Sequence, residues 1–324
     1  MNKINNIVFM GTPDFAVPTL EKLIQSNKKP VLVVTQPDKP KGRKLIMQAS
    51  PVKLCAQKYD IPYIQPIDIN DEFVINIIKS YKPDIIITVA YGMFLNKKLR
   101  TLCPFGAINL HPSLLPLHRG SDPIRNTLLS NDKICGVTVF FISAKMDSGN
   151  IIIQHKYPIN DNDNFSTLNE LLAMYGAETI MQSLSVLQKH NLSYSDLKNS
   201  FQSQNNSLSS YSSKLDKNDT YYNPRLSANE LNIKIRSYAY EPGFICKFRE
   251  KKLKLHSIHL LNTNSTYPPG TIISILKNQG FVVSTIDKDI LIKEVQLEGK
   301  NKLDSWTFNI GARIVFGEKI EAPF

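Results

Sequence analysis

Long runs of apolar, mostly β-branched residues punctuate the first half of this chain, and segments of helical spacing lie between them. Residues 4–10 form one such run, ending in Gly11-Thr-Pro-Asp14, after which Leu20, Leu23 and Ile24 recur at helical intervals. Residues 30–35 and 84–90 repeat the pattern, the second after an amphipathic stretch through Ile75, Ile77 and Ile78. Residues 137–142 make another run, and residues 168–189 read as one long helix. Continuous apolar strands alternating with helices predict a Rossmann-like α/β domain, its mainly parallel sheet covered on both faces.

The pattern changes after that helix. Residues 190–213 are rich in Ser, Asn and Gln and have little periodicity, so they read as a linker. Beyond residue 218 the apolar positions alternate over short spans, at 244–248, 253–258 and 281–285. Turn signals at Pro268-Pro-Gly270, Asn278-Gln-Gly280 and Gly299-Lys300 divide them. A small, mostly antiparallel, OB-like β-barrel follows. The expected domains are 1–189, a linker at 190–213 and the barrel at 214–324.

Composition adds bounds. A chain of 324 residues that is 42% hydrophobic is long enough for two packed cores. Its net charge of +11 points to an anionic partner without choosing between nucleic acid and membrane surface. Cys55, Cys103, Cys135 and Cys246 are scattered, with no CxxC pair, which fits a reducing compartment. Residues 7–10 read as a first strand instead of a secretory signal, and the apolar run at 85–95 is too short to span a bilayer. The expectation is a cytoplasmic monomer with no membrane partner.

The chemistry concentrates in two places. Asn109-Leu-His111-Pro-Ser113-Leu-Leu-Pro116 runs on to Arg119-Gly120, and Met146-Asp147-Ser148-Gly149 follows. Asn109 and His111 lie two apart, so extended backbone aims both at one face. An amide can donate to a developing oxyanion, an imidazole can hold or move a proton near neutral pH, and a carboxylate can orient that imidazole. Ser113, Leu114, Leu115 and Pro116 offer an apolar shelf with free backbone groups, suited to a flat heterocycle. Taken singly, each residue has an ordinary structural reading; taken together they suit transfer of a one-carbon acyl unit to an amine. His111 and Asp147 have no third partner at metal-ligand spacing, so no metal is implied. Gly11-Thr-Pro-Asp-Phe15 lacks the second glycine of a dinucleotide loop, which disfavours NAD.

These motifs resemble the signature of the formyltetrahydrofolate-dependent formyltransferases, Asn-x-His-x-Ser-Leu-Leu-Pro-x-x-Arg-Gly with a downstream Asp-x-Gly loop. That signature leaves open the enzymes acting on glycinamide ribonucleotide, on sugar nucleotides and on methionyl-tRNA. Val8-Phe-Met-Gly-Thr-Pro-Asp-Phe-Ala-Val-Pro18, Thr35-Gln-Pro-Asp-Lys-Pro-Lys-Gly-Arg-Lys44 and Ala90-Tyr-Gly92 are similar to the methionyl-tRNA branch. The resemblance implies a formyltransferase catalytic domain with Asn109, His111 and Asp147 catalytic and residues 113–116 at the folate. It implies 10-formyltetrahydrofolate as co-substrate and initiator Met-tRNA as partner.

Lys39, Lys41, Arg43, Lys44 and Lys53 face only Asp38 in a glycine- and proline-shaped loop, which can follow a phosphate backbone. In the family the corresponding loop enters the acceptor arm of the initiator tRNA, and Arg43 is the matching arginine. A second basic run offers Lys247, Arg249, Lys252 and Lys254 to RNA from the barrel. A solvated loop and a lysine-protected hairpin edge are the plainer readings of the two runs. Ser121-Asp122-Pro123 and Ala239-Tyr-Glu-Pro-Gly243 depart from the family pattern, the second by lacking a tryptophan. Two other activities remain open: a sugar-nucleotide N-formyltransferase, and a non-catalytic RNA-binding protein derived from a formyltransferase.

Overall fold

The computed structural model describes residues 3–41, 46–190 and 192–323. Two compact units emerge. The first comprises residues 1–124, 133–159 and 169–213, and the second comprises 125–132, 160–168 and 214–324.

A seven-stranded sheet organises the first unit. Its order is Ile151–Pro158, Ile134–Phe141, Ala107–His111, Ile85–Val89, Ile7–Gly11, Leu32–Val34 and Tyr63–Ile64. The last five run parallel to one another. The first two run antiparallel, because only the short Asp147 loop joins them and a parallel return needs a crossover. Ile7–Gly11 and Ile85–Val89 are buried at every position, as strands covered on both faces must be.

The helix Phe165–Leu187 covers one face of the sheet. Gly176 permits this close approach: a Cβ there would meet Leu110 Cδ2 at 2.5 Å. Leu110 thus takes the helix side, and Asn109 and His111 take the opposite face of the same strand. The basic loop of the sequence forms a ribbon, Lys39–Lys41 paired antiparallel with Ile46–Gln48. Arg43 and Lys44 lie outside the described residues.

The second unit is an antiparallel barrel. Its strand order is Ile272–Leu276, Gly280–Ser284, Lys288–Leu297, Lys251–Asn264, Phe244–Phe248 and Ile320–Glu321, with Leu303–Asp304 added beside Lys288–Leu297. Main-chain bonds from Ile272 N to Glu318 O and from Ile320 N to Gly270 O join its two edges. Phe244, Cys246, Phe248, Leu253 and Leu255 fill it from alternate positions, against Leu231, Ile235 and Tyr238 of the helix Ala228–Tyr238. That helix starts at a Ser227–Glu230 capping box.

Two short segments that precede residue 169 belong to this unit, 125–132 and 160–168. The Arg125 guanidinium lies 4.1 Å from the Phe165 ring and 5.3 Å from that of Tyr238, and donates to the Ser237 carbonyl. Residues 190–213 differ from the expected linker. They hold the helix Tyr194–Asn199 and the strand Tyr211–Ser212, which pairs with Arg119–Gly120, and they belong to the first unit. Their polar side chains meet main-chain groups here, a use that a polar, aperiodic composition does not reveal.

Candidate active site

Asn109 and His111 project from one face of Ala107–His111, as the spacing predicted. Register places Asn109 opposite Thr88 on one neighbouring strand and opposite Phe140 on the other. Thr88 Oγ1 lies 2.6 Å from Asn109 Oδ1. The hydroxyl proton, which the Ile108 carbonyl faces at 3.2 Å, goes to the shorter contact. The amide nitrogen then points away from Thr88, and among the described residues nothing accepts from it. A half-buried donor is left for a ligand oxygen.

His111 is almost fully buried. Its Nε2 lies 2.9 Å from the His118 carbonyl oxygen. A carbonyl only accepts, so Nε2 carries a proton. Nδ1 then faces Oδ2 of Asp147 at 3.8 Å, and the Phe140 ring meets the imidazole edge-on. That separation exceeds a direct hydrogen bond but is short enough for charge pairing once Nδ1 is protonated.

Asp147 is anchored from several sides. Its Oδ2 accepts from the Gly120 N–H at 2.8 Å, and its main-chain oxygen accepts from Gln204 Nε2 at 2.9 Å. Arg119, 2% exposed, donates to Gln204 Oε1 and Asn206 Oδ1. The Ser210 carbonyl accepts from Arg119 N, and Ser212 Oγ donates to Arg119 O. Gly120 closes the signature read in the sequence, whereas Thr88, His118 and Gln204 were not singled out there. Of these three only Thr88 left a signal, as one polar residue inside the run Ile85-Ile-Ile-Thr-Val89.

The shelf at residues 113–116 differs from expectation. Its backbone groups are engaged: Thr138 Oγ1 donates to Ser113 O, Gln154 Nε2 to Leu115 O, Leu117 N to Leu114 O and Ser210 N to Pro116 O. Three other chain segments reach these carbonyls, through Thr138, Gln154 and Ser210, which no local pattern encodes. Leu115 and Pro116 line a cavity of about 530 Å³ with residues 151–154, 200–205 and 208. Among the described residues no group of three or more His, Cys, Asp or Glu side chains is placed to hold a metal.

The basic groups separate into distinct settings. Lys39 is exposed on the ribbon, whose Ile46 and Met47 are also exposed. Lys53 pairs with Asp38 at 2.7 Å, and with Gln65 it holds that carboxyl below the ordinary carboxylate range. On the barrel, Lys247 lies directly across from Lys252, and Lys254 across from Ile245. These three point outward, since Cys246, Leu253 and Leu255 point in. Lys247 pairs with the exposed Glu250 at 3.2 Å, whereas Arg249 forms a bidentate pair with Glu318 and donates to the Ala312 carbonyl.

The formyl transferase family profile matches residues 5–184, and the profile of the formyl transferase C-terminal domain matches 214–313. The methionyl-tRNA formyltransferase of Kosmotoga olearia is 38% identical over 97% of this chain and 99% of its own length. The chain belongs to the methionyl-tRNA formyltransferase family. The Staphylococcus aureus protein of that name is 33% identical over 98% of this chain and 100% of its own. Among solved structures, HypX from Aquifex aeolicus in complex with tetrahydrofolic acid has a TM-score of 0.63 at 13% identity, covering 95% of this chain and 47% of that one. The N-formyltransferase of Helicobacter canadensis, in complex with folinic acid and dTDP-3-aminofucose, has a TM-score of 0.62 at 22% identity, covering 89% and 98%. At these identities the likeness establishes the fold. Where methionyl-tRNA formyltransferases usually carry a tryptophan motif, this chain builds its turn around Tyr240. That ring stacks on His256 at 5.2 Å and receives the Lys302 ammonium at 4.5 Å.

Proposed function

We propose that the chain transfers the formyl group of 10-formyltetrahydrofolate to the α-amine of methionine on initiator tRNA, in the cytoplasm, as a monomer. The observation that carries this reading is the Asn109 amide, its oxygen engaged by Thr88 and its nitrogen left to donate. As the amine adds to the formyl carbon, Nδ2 of Asn109 donates to the oxygen that gains charge. The incoming ammonium must lose a proton. His111 Nε2 is committed to the His118 carbonyl, so Nδ1 is the basic nitrogen, and Asp147 stabilises the imidazolium that forms. Collapse of the adduct re-forms the carbonyl and breaks the bond to the donor nitrogen, which keeps the electron pair and takes a proton from the His111 imidazolium, as the imidazole takes the proton that the new amide nitrogen releases; no covalent enzyme intermediate forms.

Ser113, Leu114, Leu115 and Pro116 serve the folate by apolar contact, their carbonyls being occupied. The basic loop of the sequence, with Lys39, Lys41, Arg43 and Lys44, meets the acceptor arm, and Lys247, Lys252 and Lys254 hold the tRNA backbone. A nucleotide sugar would need neither basic surface. The test is formylation of charged initiator tRNA with 10-formyltetrahydrofolate, run beside charged elongator tRNA. Rapid formylation of the initiator alone is expected; inertness toward both would overturn the reading.

A further inference from the structure

Gln204 sits in the polar segment that the sequence marks as a linker, yet it is 8% exposed. Its Oε1 accepts from Nε and Nη2 of Arg119 at 3.1 and 2.7 Å. Its Nε2 donates to the main-chain oxygens of Asp147 and Gly149 at 2.9 and 2.8 Å. A guanidinium only donates and a carbonyl only accepts, so the amide has one orientation and both its ends are engaged.

The two carbonyls flank a strained turn. Asp147 has φ +48°, left-handed backbone that a residue with a side chain rarely adopts. Such a conformation persists when its surroundings over-determine it, and Gln204 supplies two of the hydrogen bonds that do so. The carboxylate of the same residue hangs on Gly120 N, next to Arg119. Main chain and side chain of Asp147 are therefore both referred to one dipeptide, Arg119-Gly120.

We propose that Gln204 is a positioning residue for formyl transfer: it locks the Asp147 turn so that the carboxylate stays beside His111 Nδ1. The chain between the helix Phe165–Leu187 and the barrel is thereby part of the catalytic apparatus. This rests on the role given above to Asp147.

The informative substitution is Gln204→Glu. It keeps an acceptor for the buried Arg119 but removes both donors and turns an oxygen toward the carbonyls of Asp147 and Gly149. The measurement is steady-state formylation by full-length Gln204→Glu, Asp147→Ala and the double variant, each checked for its melting transition and for binding of a folate analogue. Gln204→Glu should lose about 10²-fold in kcat, the scale of a 1 Å misplacement, with little change in KM for either substrate. The double variant should be no slower than Asp147→Ala alone, because both changes act through one carboxylate. Near-normal kcat in Gln204→Glu beside an impaired Asp147→Ala would overturn the proposal and leave Gln204 as a partner for Arg119 only. Multiplying losses in the double variant would also overturn it. Full activity in Asp147→Ala would overturn the role of Asp147 itself, and this inference with it. Should the glutamate prevent folding, Gln204→Met removes the same two donors without an added charge but also the Arg119 acceptor, so only its double variant with Asp147→Ala is read: a loss no greater than that of Asp147→Ala alone supports the proposal, and multiplying losses overturn it.

Discussion

Thr88 and Asn109, directly paired on adjacent parallel strands, share a 2.6 Å hydrogen bond that fixes which end of the Asn109 amide faces the open site. The pairing belongs to the sheet, so the donor is pre-oriented before substrate arrives. A preorganised donor costs no reorganisation when charge develops, and this gives the Asn109 nitrogen its catalytic leverage.

Removing that donor by Asn109→Ala should cost about 2.7–4 kcal/mol of transition-state stabilisation. Thr88→Val conserves shape and removes only the bond that orients the amide, so a loss of about 0.5–1.5 kcal/mol is expected. Single-turnover formylation under saturating conditions reads both. A folded Asn109→Ala protein with a near-normal rate would exclude the oxyanion role.

The barrel charges divide into two groups by setting: Lys247, Lys252 and Lys254 lie on the outer face, where Lys247 pairs with the exposed Glu250, and Arg249 is tied to Glu318 and a helix end. Lys247→Ala, Lys252→Ala or Lys254→Ala should weaken tRNA binding and lower its log–log salt slope by about 0.7–0.9 for each phosphate no longer neutralised. Thermal stability should hardly move. Arg249→Ala should do the reverse, leaving the salt slope alone and costing up to about 1 kcal/mol of stability, because half-exposed Arg249 bonds Glu318 and the end of a helix. A shared fall in tRNA affinity across all four variants would show that Arg249 also faces RNA.

Much of this site was legible because strand geometry is local. Period two puts Asn109 and His111 on one face whatever the surroundings, and β-branched runs mark the buried strands. Register is not local: nothing near Asn109 in sequence names Thr88 as its partner. The segment 190–213 was illegible for a related reason. Its Ser, Asn and Gln side chains suit a solvated linker equally well, and their partners lie at residues 116–122 and 147–149. The shelf at 113–116 was half legible, since its apolar side chains show in sequence while the bonds of its carbonyls do not.

The basic loop offers its own test. Arg43→Glu should weaken tRNA binding and flatten its dependence on salt, while a folate analogue binds as before. The reason is the density of positive charge beside a single carboxylate, Asp38, which Lys53 already neutralises. Identical salt titrations for wild type and variant would remove Arg43 and its basic loop from the tRNA interface.

Barrel stability should also depend on pH through His256. Burial holds this imidazole below its ordinary value of 6.5, and its Nδ1 accepts from the Tyr240 N–H. The unfolded chain therefore binds the proton more readily than the folded one. The stabilisation is complete above 6.5 and declines as pH falls from there through the folded value. Melting temperatures measured from pH 7.5 down to pH 5 should drop for wild type more steeply than for His256→Gln. Parallel curves would mean that the proton enters both states equally.

A cut between the two halves of the chain separates binding from chemistry, and its position matters. Ending the chain at Gln204 would remove Ser210, Tyr211 and Ser212, which bond His118 and Arg119 and pair with the strand Arg119–Gly120. Ending it after Ser213 keeps all of these, together with Asn109, His111 and Asp147. The longer fragment should bind a folate analogue, and the shorter one should bind it less well or fail to fold. Both lack Lys247, Lys252 and Lys254, so both should lose most tRNA affinity. The longer fragment should still melt below the full chain, since Arg125 and Phe165 are deprived of Tyr238 as a partner and the Ser237 carbonyl is gone. Its activity should recover at high tRNA if the barrel contributes binding that is equal in the ground and transition states. Undiminished tRNA affinity in the 1–213 fragment would transfer the binding role to the ribbon; equal folate binding by both fragments would show that residues 205–213 do not shape the site.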